Sequence, residues 1–427
     1  MFAEFLERCR ANPKADAGDD PVWGKLDIAL VPGYSSDHIR REENQVRLLT
    51  RSPLSQGFDP PDEEAAARAI LAYCEANSAT LDAIREALSR PTADFRIAYG
   101  EITAFYPEIG PYTKTCNLLH LEGRAALLLG QTGLARSNAL VLLRFSRHVG
   151  TQTNLLFGAV GGVFNHYAIT LIHEGLVTGK WTDEDLNVLA AELEARWMEA
   201  EFLRAVRMDR AVVMGTLDRF SRNPAAWTGE TRWIRPLLKV PDLRKAFFYD
   251  NGAFYCRVLD ETMLTNGSGE SSTIRIATPL LPLPELPAVG SSLGEKFRYR
   301  VKFFRRGFSD TIFSAYASSR IATLRSQVFQ DHALIAISLA LHQLKNGRLP
   351  ATLDGLTLPS GAPLPLDPFT GKNYLYRPEG ETDYLLYSPG PNGLDEGGLI
   401  RHRYEDGDWV WRLRLPEDFD YDAYRGQ

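Results

Sequence analysis

The sequence predicts a mainly α protein, an irregular antiparallel helical array that closes in a small antiparallel β module, and so an α+β chain overall. Three observations predict it. Apolar residues recur at three- and four-residue spacing in several stretches from residue 61 to Leu217. The same spacing returns between Ser309 and Leu344. Residues 348–415 are instead dense in Pro, Gly, Asp and Tyr, with three brief apolar runs separated by turn formers.

In chain order, residues 1–60 are rich in turn formers and charge and are expected to wrap the surface of the helical region. Helical patterning starts at Pro61-Asp62-Glu63-Glu64, which suit a first turn, and runs through Ile70, Leu71 and Cys74. A second helix, capped by Asn77 or Ser78, sets Leu81, Ile84 and Leu88 on one face before Pro91 stops it. The two form an αα-hairpin. Three more helical stretches fill residues 113–176, with breaks at Gly130-Gln131-Thr132-Gly133 and near Gly150-Thr151. Such short connections imply antiparallel neighbours.

Thr182 followed by Asp185 makes a capping-box pattern that also accounts for the acidic run Asp183-Glu184-Asp185. Leu186, Leu189, Leu193, Trp197, Val206, Val213 and Leu217 then carry one apolar stripe, predicting a single helix longer than any other. After Pro224 the pattern weakens. A Gly/Ser-rich tip over 266–273 and a proline-rich stretch over 279–287 predict a linker at 266–308. The expected organisation is thus an irregular segment 1–60, a helical domain 61–265, the linker 266–308, and a helix plus β module over 309–427. The strands are expected at 374–376, 384–387 and 409–415. In the last, Trp409, Trp411, Leu413 and Leu415 alternate with Val410, Arg412 and Arg414, the pattern of a half-buried strand.

A net charge of −6, with basic residues scattered except for short clusters such as Arg305-Arg306, leaves no electrostatic footprint expected for nucleic acid. Cys9, Cys74, Cys116 and Cys256 lie far apart with no CxxC pair, so they read as buried thiols rather than zinc or redox ligands. No uninterrupted apolar run of transmembrane length occurs; residues 155–172 come nearest, diluted by Asn165, His166 and several glycines, and read as a buried core helix. The first twenty residues lack a signal-type apolar segment, so export implies a leader outside this sequence, and a native start at Met1 implies the cytoplasm.

Residues 339–398 resemble the globular part of the major type II secretion pseudopilin, protein G of the general secretion pathway. The resemblance rests on a helix ending in Asn346-Gly347-Arg348-Leu349-Pro350, then Thr352-Leu353-Asp354-Gly355-Leu356, Asp367-Pro368-Phe369-Thr370-Gly371-Lys372 and Tyr374-Leu375-Tyr376. Asp383-Tyr384-Leu385-Leu386-Tyr387-Ser388 and Gly390-Pro391-Asn392-Gly393 complete the order. Each piece has a physical reason: Asn346-Gly347 offers a left-handed helix cap and Asp367-Pro368 a turn start. The chain departs from the family in its long helical region and in lacking a prepilin-type start, so it is not expected to polymerise as a pilin. The whole chain also resembles a group of large bacterial proteins in which a Leu- and Ala-rich helical region carries this tail.

The resemblance implies calcium in the loop after the Tyr-Ser strand, with Asn392, Asp395, Asp406 and Asp408 as the ligands to expect. A glycine-rich acidic loop can supply the six to eight oxygens that calcium takes. The family has aspartate where this chain has Asn392, and the connection here carries Arg401, His402 and Arg403. His166 and His173 stand about 10 Å apart along one helix, too far to share a metal. No HExxH, Walker or nucleophile-elbow pattern is present, and the Gly-Ser-Gly at 267–269 has no flanking strand and helix. The expected function is a non-enzymatic scaffold or interaction protein with a protein partner and a calcium-binding tail. Two alternatives are an enzyme with a cleft near residues 227–255, lined by Trp227, Trp233, Tyr249 and Tyr255, and an accessory component of a secretion system.

Overall fold

A computed structural model of the chain describes residues 63–93, 109–152, 155–223, 234–260, 292–400 and 407–413. The expectations for residues 1–60, for most of the linker, and for Cys9, Trp227, Trp233 and Asp406 fall outside the described residues. The described elements are α1 (Glu63–Ala76), α2 (Ser78–Leu88), α3 (Ile109–Leu128), α4 (Thr132–Gly150) and α5 (Leu155–Val177). They continue with α6 (Asp183–Glu194), α7 (Met198–Arg222), α8 (Arg235–Leu238), α9 (Pro241–Leu259) and α10 (Leu293–Asn346), then β1 (Leu375–Glu379), β2 (Asp383–Ser388) and β3 (Trp409–Arg412). The protein is mainly α with a small antiparallel sheet, as the sequence predicts.

Helices α1 and α2 meet at Asn77, whose side-chain amide donates back to the Tyr73 carbonyl instead of capping α2; rather than pairing as the expected hairpin, α1 packs on α3 and α2 on α4. Helix α6 opens on the expected capping box, with Thr182 and Asp185 bonding each other's backbone N–H. The single helix expected from there to Leu217 is in fact two. The chain leaves helical geometry between Glu194 and Met198, and Trp197, assigned to the apolar stripe, is 59% exposed. Helix α10 makes the break tolerable: Gln330 Nε2 donates to the carbonyls of Leu193 (3.0 Å) and Arg196 (2.8 Å), and Gln327 Oε1 accepts from Met198 N–H (2.9 Å). Backbone groups that lose their helical partners are thus satisfied from another helix.

The longest described helix is α10, with 54 residues. It starts at Leu293, inside the expected linker, because Ser292 and Glu295 form a second capping box. It ends as expected at Gly347, whose φ of 73° is the left-handed cap and whose N–H donates to the Gln343 carbonyl at 2.7 Å.

Two cores form along α10. Helices α1–α6, the carboxy-terminal half of α10 and the sheet share one core reaching from Ala67 to Trp411. Helices α7–α9 build the second around Phe202, Phe247 and Tyr255, with Tyr316 of α10. The β module is therefore continuous with the helical array rather than a unit beyond a linker. Helix α5 is long and apolar enough by composition to cross a membrane, yet it packs on α3, α4, α7 and α10 with Asn165 and His173 buried. Its approach to α4 needs Gly161, where a Cβ would lie 2.9 Å from the Gly150 backbone. Cys74 and Cys116 are buried thiols, as expected, whereas Cys256 is only partly buried.

The sheet has the order β1-β2-β3, all antiparallel, with Leu386 opposite Tyr376 and Trp411. The Trp411 ring meets the His173 ring of α5 edge-on, with centroids 5.0 Å apart. On the opposite face, Leu385 lies against Gly398 and the Tyr387 hydroxyl reaches Asp395, so the loop after β2 covers the sheet. Val410, expected on an open face, is consequently buried as well.

Candidate functional site

The four expected calcium ligands all lie in the chain between β2 and β3, and three of them, Asn392, Asp395 and Asp408, are among the described residues. Asn392 Oδ1 accepts from Leu394 N–H at 2.9 Å, closing an exposed turn. Asp395 Oδ1 accepts from the Tyr387 hydroxyl and from Gly397 N–H, both at 2.9 Å, which leaves its Oδ2 for a further ligand. Asp408 is buried, and its Oδ2 accepts from the backbone N–H groups of Gly398 (2.6 Å), Glu396 (3.2 Å) and Leu399 (3.2 Å). Burial raises the Asp408 carboxyl above the usual aspartate range against the pull of these amides, and the Asp395 charge adds to the rise. Asp408 thus pins residues 396–399 to the start of β3. Among the described residues, no three His, Cys, Asp or Glu side chains are grouped to hold one metal ion.

A second polar cluster lies at the junction of α10 and the sheet. Asp331 Oδ2 accepts from the Tyr374 hydroxyl at 2.7 Å, and Oδ1 accepts from Gln327 Nε2 at 2.8 Å. Burial, aided by the charge of Asp367 and opposed by these two donors, pushes the Asp331 carboxyl up to about 7. Its neighbour His332 is fully buried, with no hydrogen-bond partner at either ring nitrogen. The imidazole instead meets Tyr374 edge-on, centroids 4.8 Å apart, and burial holds its pKa down to about 3. Asp367 completes the group: it accepts from Ser388 Oγ (3.0 Å) and from Phe369 N–H (2.8 Å), the turn that Asp367-Pro368 predicts. Asp331, His332, Asp367 and Tyr374 are all buried. Two consecutive polar residues, Asp331-His332, inside an apolar helical run are the signal that spacing alone passes over.

His173 of α5 serves the packing. His173 Nε2 donates to the Arg412 carbonyl at 2.7 Å, tying α5 to β3, and burial lowers its pKa to about 4. Of the aromatic residues of the expected cleft, the two described ones separate: Tyr255 is buried with its hydroxyl 2.8 Å from that of Tyr316, whereas Tyr249 is 53% exposed. Asp209 on α7 sits near the tyrosine pair, its carboxyl pushed up to about 7 by burial. The chain matches no family model, no curated protein and no solved structure, so its function is read from its own side chains.

Proposed function

We propose that the chain is a non-enzymatic helical scaffold for a protein partner, whose pseudopilin-like tail forms a rigid end carrying a calcium-binding loop. One observation carries the reading: the sheet shares a core with α1–α6 and α10, and is bonded to them through Asp331–Tyr374 and His173–Arg412. The loop between β2 and β3 is thereby held at a set position relative to the array, which is what a contact surface requires. In support of calcium, Asp395 has an uncommitted oxygen, and its charge and that of Asp408 repel each other, a repulsion that a cation relieves. Asn392 and Asp406 complete the set that the resemblance implies. Service beside true pseudopilins in a secretion system is the narrower form of the same reading.

Hydrogen exchange of the full chain, chelator-treated and then calcium-loaded, tests both parts. Amides of β2 should exchange in the same slow class as those of α5, and calcium should slow amides in 389–400 in the wild type but not in Asp395→Ala. Fast exchange in β2 refutes the rigid end. An unchanged loop in calcium refutes the metal site.

A further inference from the structure

The first turns of α10 project a basic, aromatic helix end. Residues 293–306 contain six basic residues and one acidic residue, within a chain whose net charge is −6. Residues 294–298 and 300–302 are all exposed. Phe297 is 67% exposed and Val301 44%. At four-residue spacing these two form one ridge. By the same helical geometry Arg298 and Lys302 run along one side of it, and Lys296 and Arg300 along the other.

The ridge continues the line of Phe304, which packs on Phe247 of α9 with centroids 5.3 Å apart. Contacts ascend along both helices: Asn251 donates to the Phe304 carbonyl, and Tyr255 meets Tyr316 further on. The start of α9 therefore lies beside the start of α10. There Val240 and Leu243 are exposed, with Lys239, Lys245 and the acidic Asp242 next to them. A cation-rimmed apolar ridge on α10 and a smaller apolar patch of mixed charge on α9 thus lie side by side.

We propose that this end, the first turns of α10 with the start of α9, docks on an anionic phospholipid surface. The chemistry matches an interfacial helix: aromatic and aliphatic side chains enter the acyl boundary, while long basic side chains reach the headgroups. Nucleic acid fits less well, because Val240, Leu243 and Val301 offer no ring for base stacking. The capping box at Ser292 and Glu295 keeps the end helical before contact, so little ordering entropy is lost on binding.

Co-sedimentation of the full chain with phosphatidylcholine vesicles, with and without phosphatidylglycerol, tests the proposal. Binding should require phosphatidylglycerol and fall as salt rises. Each basic residue at the surface contributes about 1 kcal/mol, so the double variant K296Q/K302Q should bind about thirtyfold more weakly. Phe297→Ser should weaken binding by about tenfold through lost apolar insertion. All three sites are exposed, and an unchanged circular dichroism spectrum checks the fold of each variant. No pelleting with phosphatidylglycerol vesicles at low salt overturns the proposal, as does pelleting that both variants retain. Binding of duplex DNA or polyglutamate in place of vesicles, lost in the same variants, also overturns it.

Discussion

Asp331→Asn replaces the carboxyl at the helix–sheet junction by a neutral amide of nearly the same shape. Burial holds the Asp331 pKa at about 7 against an ordinary 3.8, so the folded protein retains a proton that the unfolded chain releases. A raised acid pKa leaves stability intact below the unfolded value and removes it as pH climbs from about 4 to about 7. Over the full window the linkage is on the order of 4 kcal/mol, of which about 3 kcal/mol falls between pH ~5 and pH ~8. The amide has no proton to lose. It still offers Tyr374 an oxygen, but its NH2 faces the Gln327 donor, at a cost of about 1–2 kcal/mol. The variant should therefore lie within about 1 kcal/mol of the wild type near pH ~5 and be about 2–3 kcal/mol more stable near pH ~8. Urea unfolding of both proteins at the two pH values measures the difference, and His332, present in both, cancels. A difference that stays constant with pH would refute the reasoning.

His332→Met should act in the opposite window. The folded-state pKa of about 3 lies below the ordinary 6.5, so wild-type stability is lost as pH falls from 6.5 through 3. Methionine should recover about 2 kcal/mol near pH ~5 and change little near pH ~8 in the same unfolding assay. Gly161→Ala puts a methyl 2.9 Å from the Gly150 backbone, forcing α4 and α5 apart at a cost of about 1–3 kcal/mol. Thermal unfolding reports it, and a midpoint equal to the wild type would show that the close approach is not required.

Local chemistry was legible wherever a few neighbouring residues decide the backbone. Thr182 with Asp185 starts α6, Gly347 ends α10, and Asp367-Pro368 makes its turn, because the donor, acceptor and φ preference lie within four residues of one another. The break between α6 and α7 was not legible. No Gly or Pro marks it, and the groups that satisfy it, Gln327 and Gln330, lie far along the chain. The start of α10 was missed for another reason: Phe297, Tyr299, Val301 and Phe303 alternate with basic residues, a two-residue pattern that hides a helix begun by its cap. For the loop after β2, composition identified acidic oxygens but not their use. Asp408 spends one on three backbone amides, whereas Asp395 keeps one open.

By itself the sequence determined the helical array, the three short strands, the caps at Thr182 and Gly347 and the burial of Cys74 and Cys116, all set by propensity and spacing over a turn or two. Only the tertiary structure decided that the sheet joins the core of α1–α6, that Asp331 and His332 are buried against Tyr374, and that Phe297 and Val301 of α10 are exposed. Burial depends on which distant surfaces meet, and a side chain's partner, pKa and exposure follow from burial rather than from its neighbours in sequence.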